Sequence, residues 1–306
     1  MTFLKRLRQL LLLPQAIYDK LDQLQQAIGR LELAHQQMQA SNDIRHNEFK
    51  VYSQNGEDGI IQFLLRHIRV ERDIFVEFGV ADYQESNTRF LLQQCNWSGL
   101  IMDGSAENIE RIKSSPLYWR YNVKAEQTFI TAENINELLR RHGIAGDIGI
   151  LSIDIDGNDY WVWKAMEDVR PAIVITEYNS LFGAQQKVTI PYDKDFVREQ
   201  AHYSTLYYGA SIAALEHLAR SRNYALVGSN QAGNNLFFVR DDLLGTLRRY
   251  TPEKAYVQAQ FRESRAKSGQ LTFLGWEERL AEIAEMPLFE IESQRVFKVK
   301  ELCKPS

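Results

Sequence analysis

Cysteine is almost absent from this chain of 306 residues, which contains only Cys95 and Cys303. Two cysteines form neither a disulfide framework nor a thiolate zinc site, so we expect a reducing compartment. Long apolar runs are also missing, since no stretch of the sequence approaches the roughly 20 residues of a membrane-spanning helix. The formal net charge of −4 gives no general attraction to nucleic acid. These absences predict a cytoplasmic globular protein with no nucleic-acid partner.

The chain also lacks the glycine-rich fingerprint of dinucleotide-binding folds. Residues 73–105 read as a strand, a loop, a helix and a second strand, and Gly79 alone follows the first strand. The G-x-G-x-x-G pattern that cradles a pyrophosphate is therefore missing. Asp103 follows the second strand, where a carboxylate can accept hydrogen bonds from ribose hydroxyls. A single glycine and this acid favour S-adenosylmethionine over a nicotinamide dinucleotide.

The N-terminal segment is predicted to be helical because its apolar residues recur at alternating spacings of four and three. These residues are Ile17, Leu21, Leu24, Ile28 and Leu31. The spacing is typical of a coiled-coil seam, but a helix packed on its own domain would show it too. We therefore expect either homo-oligomerisation through this helix or packing within one chain. The short basic stretch Lys5, Arg6 and Arg8 suits at most weak contact with a membrane surface.

Beyond this helix, strands and helices alternate in the order of an α/β protein with a doubly wound, mostly parallel Rossmann-like sheet. The sequence predicts a third strand over 118–123 and a C-terminal antiparallel hairpin over 224–240. We expect three parts: a helical segment over 1–48, a Rossmann-like domain over 49–245 and a mixed extension over 246–306. In the extension, residues 255–266 and 277–284 are predicted helices, and 295–299 is a predicted edge strand.

Two neighbouring predicted strands end in acids. Residues 148–155 form the fourth strand, which ends at Asp154 and Asp156, and the fifth strand is followed by Glu177 and Asn179. Carboxylate and amide oxygens are ligands that Mg²⁺ or Mn²⁺ prefers, so these four residues are candidate metal ligands. Asp154 is also a candidate general base. His202, in the aromatic-rich connection over 180–208, is a second candidate base.

Seven motifs together resemble the class I S-adenosylmethionine-dependent methyltransferases, and within them the group related to the FkbM family. They are SQNGED (53–58), VEFGVAD (76–82), ESNT (85–88), WSGLIMDGS (97–105), SIDIDGNDYW (152–161), ITEYN (175–179) and NLFFVR (235–240). The chain departs from this resemblance at Tyr83, where such sequences commonly carry a further glycine. The resemblance covers about two thirds of the chain and implies S-adenosylmethionine as cofactor.

The resemblance also implies roles for individual residues at the cofactor site. Glu77 and Gly79 would border the methionine portion, Asp103 would bind the ribose, and Gly104 and Ser105 would pass beside the adenine. Three further candidates lie in the same motifs, at the mouth of the cofactor site: Gln54, Glu57 and Asp82.

Members of the resembled group often methylate hydroxyl groups, so we expect O-methylation of a sugar, a glycan or a related secondary metabolite. Two alternatives remain open at this point. One is a non-catalytic module that binds cofactor and assembles an oligomer. The other is a nicotinamide-dependent oxidoreductase, which the missing glycine fingerprint disfavours.

Overall fold

The computed structural model describes residues 3–38 and 41–302, and for residues 3–16 it describes the backbone alone. Ten strands are present in the described chain: β1 Ile74–Phe78, β2 Ser98–Asp103, β3 Val123–Gln127, β4 Gly146–Ile153, β5 Val169–Glu177, β6 Val188–Thr189, β7 Tyr224–Ser229, β8 Asn235–Arg240, β9 Pro287–Glu290 and β10 Arg295–Lys298. Among these residues no helix combines the length and the hydropathy needed to cross a bilayer.

Eleven α-helices connect or flank these strands within the described residues. They are α1 Phe3–Met38, α2 Glu57–His67, α3 Arg89–Gln94, α4 Ala106–Ser114, α5 Pro116–Arg120, α6 Ile135–Arg141, α7 Asp159–Ala165, α8 Arg198–Ala201, α9 Ile212–Ser221, α10 Pro252–Ala255 and α11 Trp276–Glu282. The candidate membrane-contact residues Lys5, Arg6 and Arg8 have side chains outside the described part, as does Cys303. Cys95 is a free thiol.

Seven strands form one sheet in the order β3-β2-β1-β4-β5-β8-β7. Neighbouring strands are parallel from β3 to β5, and β8 runs antiparallel to both β5 and β7. This is the doubly wound, mostly parallel sheet with an antiparallel hairpin that the sequence predicts. The chain reverses direction across the sheet between β1 and β4, and ligands of open α/β sheets bind at such a switch point.

The sheet is buried on both faces, as a parallel sheet requires. Along β1, Val76 and Phe78 pack into one apolar layer, whereas Phe75 packs into the other. The alternation follows from the two-residue period of a strand. Both layers contain fully buried aliphatic and aromatic side chains, so the strand ends are held in a fixed frame.

The C-terminal part forms a second, smaller sheet in the order β10-β9-β6. Strand β9 pairs with β6 of the 180–208 connection, and the Tyr207 hydroxyl donates to the Pro287 carbonyl at 2.6 Å. A separate apolar cluster, including Phe182 and Leu288, fills the space beneath this sheet. The extension is therefore built onto the connection that follows β5.

Two predicted elements are wrong and two are confirmed. The third strand begins only at Val123, because Pro116 starts the short helix α5 over residues assigned to that strand. Residues 256–266 are not helical, since α10 ends at Ala255. Helix α11 and edge strand β10 form where the sequence predicts a helix and a strand.

The segment before α2 is organised by Asp58, which is almost fully buried. One of its oxygens, Oδ2, accepts the backbone N–H groups of Val51, Tyr52 and Ser53 at 2.7–2.8 Å. Burial raises the pKa of Asp58 to about 6, against the lowering effect of these hydrogen bonds. The acid therefore ties three successive backbone amides to the start of α2.

We predict that Asp58→Ala will lower the free energy of unfolding by at least about 3 kcal/mol, because three buried N–H groups lose their acceptor. Urea unfolding followed by circular dichroism measures this. The control is Asp82→Ala, since Asp82 lies half-buried on a loop and accepts one loop amide, that of Gln84, at 3.1 Å. Its effect should stay below about 1 kcal/mol. Equal losses in the two variants would contradict the role given to Asp58.

Candidate active site

The carboxyl ends of β1 and β4 touch through their backbones. A Cβ atom at Gly79 would lie 1.6 Å from the carbonyl oxygen of Asp154, and Gly79 has a φ of +69°. Any side chain would therefore meet a backbone atom and a disfavoured backbone conformation at once. Glycine at this position lets the loop after β1 and the loop after β4 line the same crevice.

Asp103 ends β2 at this edge and holds the neighbouring loops. Its Oδ2 accepts the N–H of Ala81 at 2.8 Å, and its Oδ1 accepts the N–H of Ser105 at 2.8 Å. Ser105 also caps α4 through Asn108, and a Cβ at Gly104 would have only Phe129 nearby, at 3.8 Å. Asp103 Oδ1 also accepts the Asn108 side-chain amide at 3.2 Å. Asp103 is only partly buried, and Oδ2, which accepts the Ala81 N–H, retains capacity for a further hydrogen bond. The ribose-binding role of Asp103 stays a prediction from the sequence.

Glu77 is a buried anchor beside the crevice. Its carboxylate accepts hydrogen bonds from the Ser86 hydroxyl at 2.6 Å and the Asn87 backbone at 2.8 Å, and from Thr88. Burial raises the pKa of Glu77, and these hydrogen bonds act in the opposite direction. Glu77 thus fixes the segment before α3, and its oxygens already have protein partners.

The other three cofactor candidates are placed differently from one another. Glu57 is fully buried, and its Oε1 accepts the side-chain amides of Asn230 and Asn235 at 2.8 and 2.9 Å. It joins the start of α2 to the start of β8 and presents no free surface to a ligand. Gln54 is exposed and Asp82 is half-buried, and both lie on loops. The sequence could not show which of the three is buried, because all three are polar residues next to the ends of predicted helices or strands.

The acids that follow β4 and β5 do come together. Carboxylate oxygens of Asp154, Asp156 and Glu177 lie within 4.8 Å of one another. Asp156 adopts a left-handed conformation with φ of +57°, and Asp159 shapes the same loop by accepting the N–H groups of Ile155 and Gly157. Within the described chain, the buried Oε2 of Glu177 has no hydrogen-bond partner.

Arg198, a residue that the sequence argument missed, supplies positive charge to this acid cluster. Its guanidinium forms an ion pair with Asp156, donates to the Thr205 carbonyl at 2.8 Å and lies 3.7 Å from the ring centre of Tyr208. Burial opposes its charged form, but Tyr208, Glu177 and Asp156 outweigh burial and raise the pKa of Arg198. It therefore remains a guanidinium. The sequence did contain a signal for Arg198: it is a basic residue in the connection that follows two strands ending in acidic residues.

Burial and crowding raise the pKa of two acids in the cluster. Burial, then Asp156 and Asp159, raise the pKa of Asp154 well above its ordinary value, and Arg198 lowers it in part. Burial, then Asp154, raise the pKa of Glu177 in the same way. Two carboxyls this close hold a proton more tightly than isolated acids do.

Asn179 and His202 have protein partners at atoms that the predicted roles would use, and those roles stay predictions. The Asn179 amide donates to the Leu206 and Tyr208 carbonyls at 3.0 and 3.1 Å, and its oxygen accepts the Leu181 N–H. It caps a turn, so all of these groups already have protein partners. His202 is bonded through Nδ1 to the Ser204 hydroxyl and lies against Tyr203, whose hydroxyl is bonded to Glu282. Burial lowers the pKa of His202.

No model of a protein family matches the sequence, and no curated protein matches it. Solved structures with related folds include the N-terminal domain of EvdMO1 with SAH bound. It is 13% identical, with a TM-score of 0.41 over 65% of this chain and 83% of that one. Another is an S-adenosylmethionine-dependent methyltransferase from Clostridium acetobutylicum ATCC 824, 11% identical, with a TM-score of 0.39 over 60% and 90% of the two chains. Similarity this low leaves the function to be inferred from the site's own residues.

We predict that Arg198→Met will raise the pKa values of Asp154 and Glu177 further, because the guanidinium lowers both. An opposite charge at contact distance shifts a carboxyl by about 1–3 units, so the titration should move upward by about that much. Carboxyl ¹³C shifts of labelled protein across a pH series measure it. Arg220→Met is the control, since Arg220 pairs with Glu216 along α9. An unchanged titration in Arg198→Met would mean that Arg198 does not compensate the cluster.

Proposed function

We propose that this protein is an S-adenosylmethionine-dependent O-methyltransferase that acts on a hydroxyl of a sugar, a glycan or a related secondary metabolite. The observation that carries the proposal is a convergence at one sheet edge. There, a partly accessible acid ends β2, Asp154 follows β4 and Glu177 ends β5, and burial raises the pKa of the latter two. The acid at the end of β2 suits a ribose, and the acids at the ends of β4 and β5 suit a hydroxyl that must lose its proton.

Asp103 is the residue we assign to the cofactor ribose. Its two oxygens are oriented by the Ala81 and Ser105 amides, so a diol placed in the crevice would meet a carboxylate of fixed direction. The loop after Gly79 shows no run of glycines to cradle a pyrophosphate. The cofactor we infer therefore has a ribose and no phosphate.

Asp154 is the residue we assign as general base. In the transfer, the acceptor oxygen attacks the sulfonium methyl, a C–O bond forms, the C–S bond breaks and a neutral thioether leaves. The hydroxyl proton passes to Asp154, whose raised pKa makes it a stronger base than an ordinary carboxylate. Glu177 beside it can share that proton, because the two carboxyls lie within 4.8 Å of each other and are both half-buried.

Arg198 and Tyr208 would set the charge of this base. The positive charge of the guanidinium reduces the repulsion among the three acids. The Tyr208 ring and the Thr205 carbonyl hold the guanidinium in place. Burial, then Glu177, raise the pKa of Tyr208 well above its ordinary value, so Tyr208 stays a neutral phenol. The acceptor would thus meet a site with a single fixed cation.

A divalent cation is the competing proposal for activating the hydroxyl. Asp154, Asp156 and Glu177 are oxygen donors of the kind that Mg²⁺ or Mn²⁺ prefers, and an ion there would act as a Lewis acid. Asn179 would not join them, because its amide is bonded to backbone groups. Arg198 already places positive charge on Asp156, which favours the metal-free base.

The acceptor class and the two alternative functions rest on less direct support. The sugar or glycan hydroxyl is what the resemblance to the FkbM-related group implies. Near the acids, Phe196 lies against Gly157, where a Cβ would be 2.4 Å from its ring, so an apolar wall adjoins the cluster. A non-catalytic module would have no use for a proton-holding pair. An oxidoreductase would need the phosphate cradle that the sequence lacks.

We predict that Asp103→Ala will weaken S-adenosylmethionine binding by at least tenfold. A hydrogen bond to a charged group contributes about 1.5–3 kcal/mol, and about 1.4 kcal/mol corresponds to a factor of ten. Isothermal titration with S-adenosylmethionine and, separately, with a nicotinamide dinucleotide measures both affinity and cofactor class. Glu107→Ala is the control, since Glu107 is exposed on α4. Unchanged affinity in Asp103→Ala, or tighter binding of the dinucleotide, would overturn the assignment.

We predict that Asp154→Asn will lower kcat by about 10²–10⁴-fold, the usual contribution of a general base. A panel of glycans and nucleotide sugars with a labelled methyl donor measures turnover and identifies the acceptor. His202→Gln tests the other candidate base and should keep activity, because in this proposal the proton passes to Asp154. A loss as large as that of Asp154→Asn would assign the base to His202 instead. Treatment with EDTA should leave the parent active. Activity lost on chelation and restored by Mg²⁺ or Mn²⁺ would instead support the divalent-ion proposal.

A further inference from the structure

The long helix α1 carries an apolar stripe that faces away from its own domain. The stripe consists of Ile17, Leu21, Leu24, Ile28 and Leu31, whose side chains are between 51% and 71% exposed. Tyr18 and Met38 beside it are exposed as well. A helix on the surface of a globular protein normally turns its apolar face inward. The apolar stripe of α1 does the opposite.

The face that contacts the domain is mostly polar. Five of its buried or half-buried positions repeat at the same alternating spacing and are Asp22, Gln26, Gly29, Leu33 and Gln36, and Ala27 beside them is half-buried as well. Asp22 accepts the Tyr52 hydroxyl at 2.6 Å and pairs with Arg89 at 3.3 Å. The Gln36 amide donates to the Asn47 and Gly59 carbonyls, each at 2.7 Å. Hydrogen bonds therefore attach the helix to the domain.

These contacts fix the rotation of α1 about its axis. The inward positions lie five residues after the stripe positions, which corresponds to about 140° around a helix. Turning the stripe inward would break the Asp22 and Gln36 bonds. It would also separate Gly29 from Val51 and Phe90, which pack so closely that a Cβ at Gly29 would meet both within 2.9 Å. The stripe is therefore exposed because the polar face is bound.

We propose that the apolar stripe binds the same stripe of a second copy of this chain, as a parallel two-stranded coiled coil. Alternating spacings of four and three keep a seam facing one partner helix over successive turns. In the heptad, Leu21 and Ile28 take the a positions, and Ile17, Leu24 and Leu31 take the d positions. A second copy offers a matching seam by symmetry.

The residues that flank the stripe suit this pairing. In a parallel pair, a g residue faces the e residue five positions later in the partner. Lys20 then faces Gln25 of the partner subunit, and Ala27 faces Glu32 of the partner subunit. Neither contact brings like charges together. No charged residue interrupts the stripe between Ile17 and Leu31, so its five layers are apolar throughout.

The exposed area is close to what a small stable interface needs. Full burial of a leucine or isoleucine removes roughly 60–120 Å² of apolar surface from water. With Tyr18 and Met38 included, two copies of the stripe would remove on the order of 700 Å². Interfaces are roughly 57% apolar, so this corresponds to about 1,200 Å² in total, the lower bound for a specific complex. The dimer should therefore depend strongly on individual stripe residues.

The test is sedimentation velocity on the full chain at several concentrations. The parent should sediment as a dimer. The double variant Leu24→Glu with Leu31→Glu should sediment as a monomer, because it places charge in two apolar layers. The matched control is Gln23→Glu with Gln37→Glu, which adds the same charge to exposed positions one residue before and six residues after those sites. The control should remain a dimer.

Orientation is tested by Leu31→Cys, at one end of the stripe, in a background with Cys95 and Cys303 replaced by serine. A parallel, in-register pair should form an intermolecular disulfide on oxidation. An antiparallel pair should not, because it would place position 31 beside the Ile17 end of the other helix, about 20 Å from its own copy. A monomeric parent, or a dimer that survives Leu24→Glu with Leu31→Glu, would overturn the proposal. A monomeric parent that sediments with phosphatidylcholine–phosphatidylserine vesicles through the same two leucines would show instead that the stripe is a membrane-binding face.

Discussion

The arrangement of the site depends on one backbone contact, the approach of Gly79 to the carbonyl of Asp154. This contact joins the loops after β1 and β4 at the point where the sheet reverses direction. Because no side chain fits at position 79, the two loop backbones stay in contact there. Asp103, at the end of β2, lies on one side of this contact, and the acids at the ends of β4 and β5 lie on the other.

Three acids crowded at that edge create a second constraint, which is electrostatic: Asp154 and Glu177 are half-buried, and Asp156 is exposed. Burial and the neighbouring carboxylates raise the pKa of Asp154 and of Glu177. The positive charge of Arg198 offsets part of the repulsion among these acids through its ion pair with Asp156. Arg198 begins a four-residue helix in the connection after β5. A separate small sheet, shared between this connection and the C-terminal extension, supports the segment. The extension therefore supports the connection that carries Arg198, although it contributes none of the clustered acids.

The orientation of the N-terminal helix α1 is set by its polar contacts with the domain. Its polar positions are bonded to the domain, and its aliphatic positions are left outside, so the helix is amphipathic in the reverse of the usual sense. The sequence showed the spacing of the seam but not which way it faced. A spacing of four and three occurs twice on α1, once in the apolar stripe and once in the inward face, and only the contacts of Asp22, Gly29 and Gln36 distinguish them.

By itself, the sequence determined the α/β class, the antiparallel hairpin and the acids at the ends of β2, β4 and β5, because strand periodicity and strand ends are local features. It placed the third strand wrongly, since local propensity did not register that Pro116 begins a helix. Tertiary structure alone decided that Glu57 and Asn179 bond to protein groups, and that Arg198 reaches Asp156 across 42 residues of chain. The reason is physical: a polar residue's partner depends on which distant backbone or side chain the packed core brings beside it.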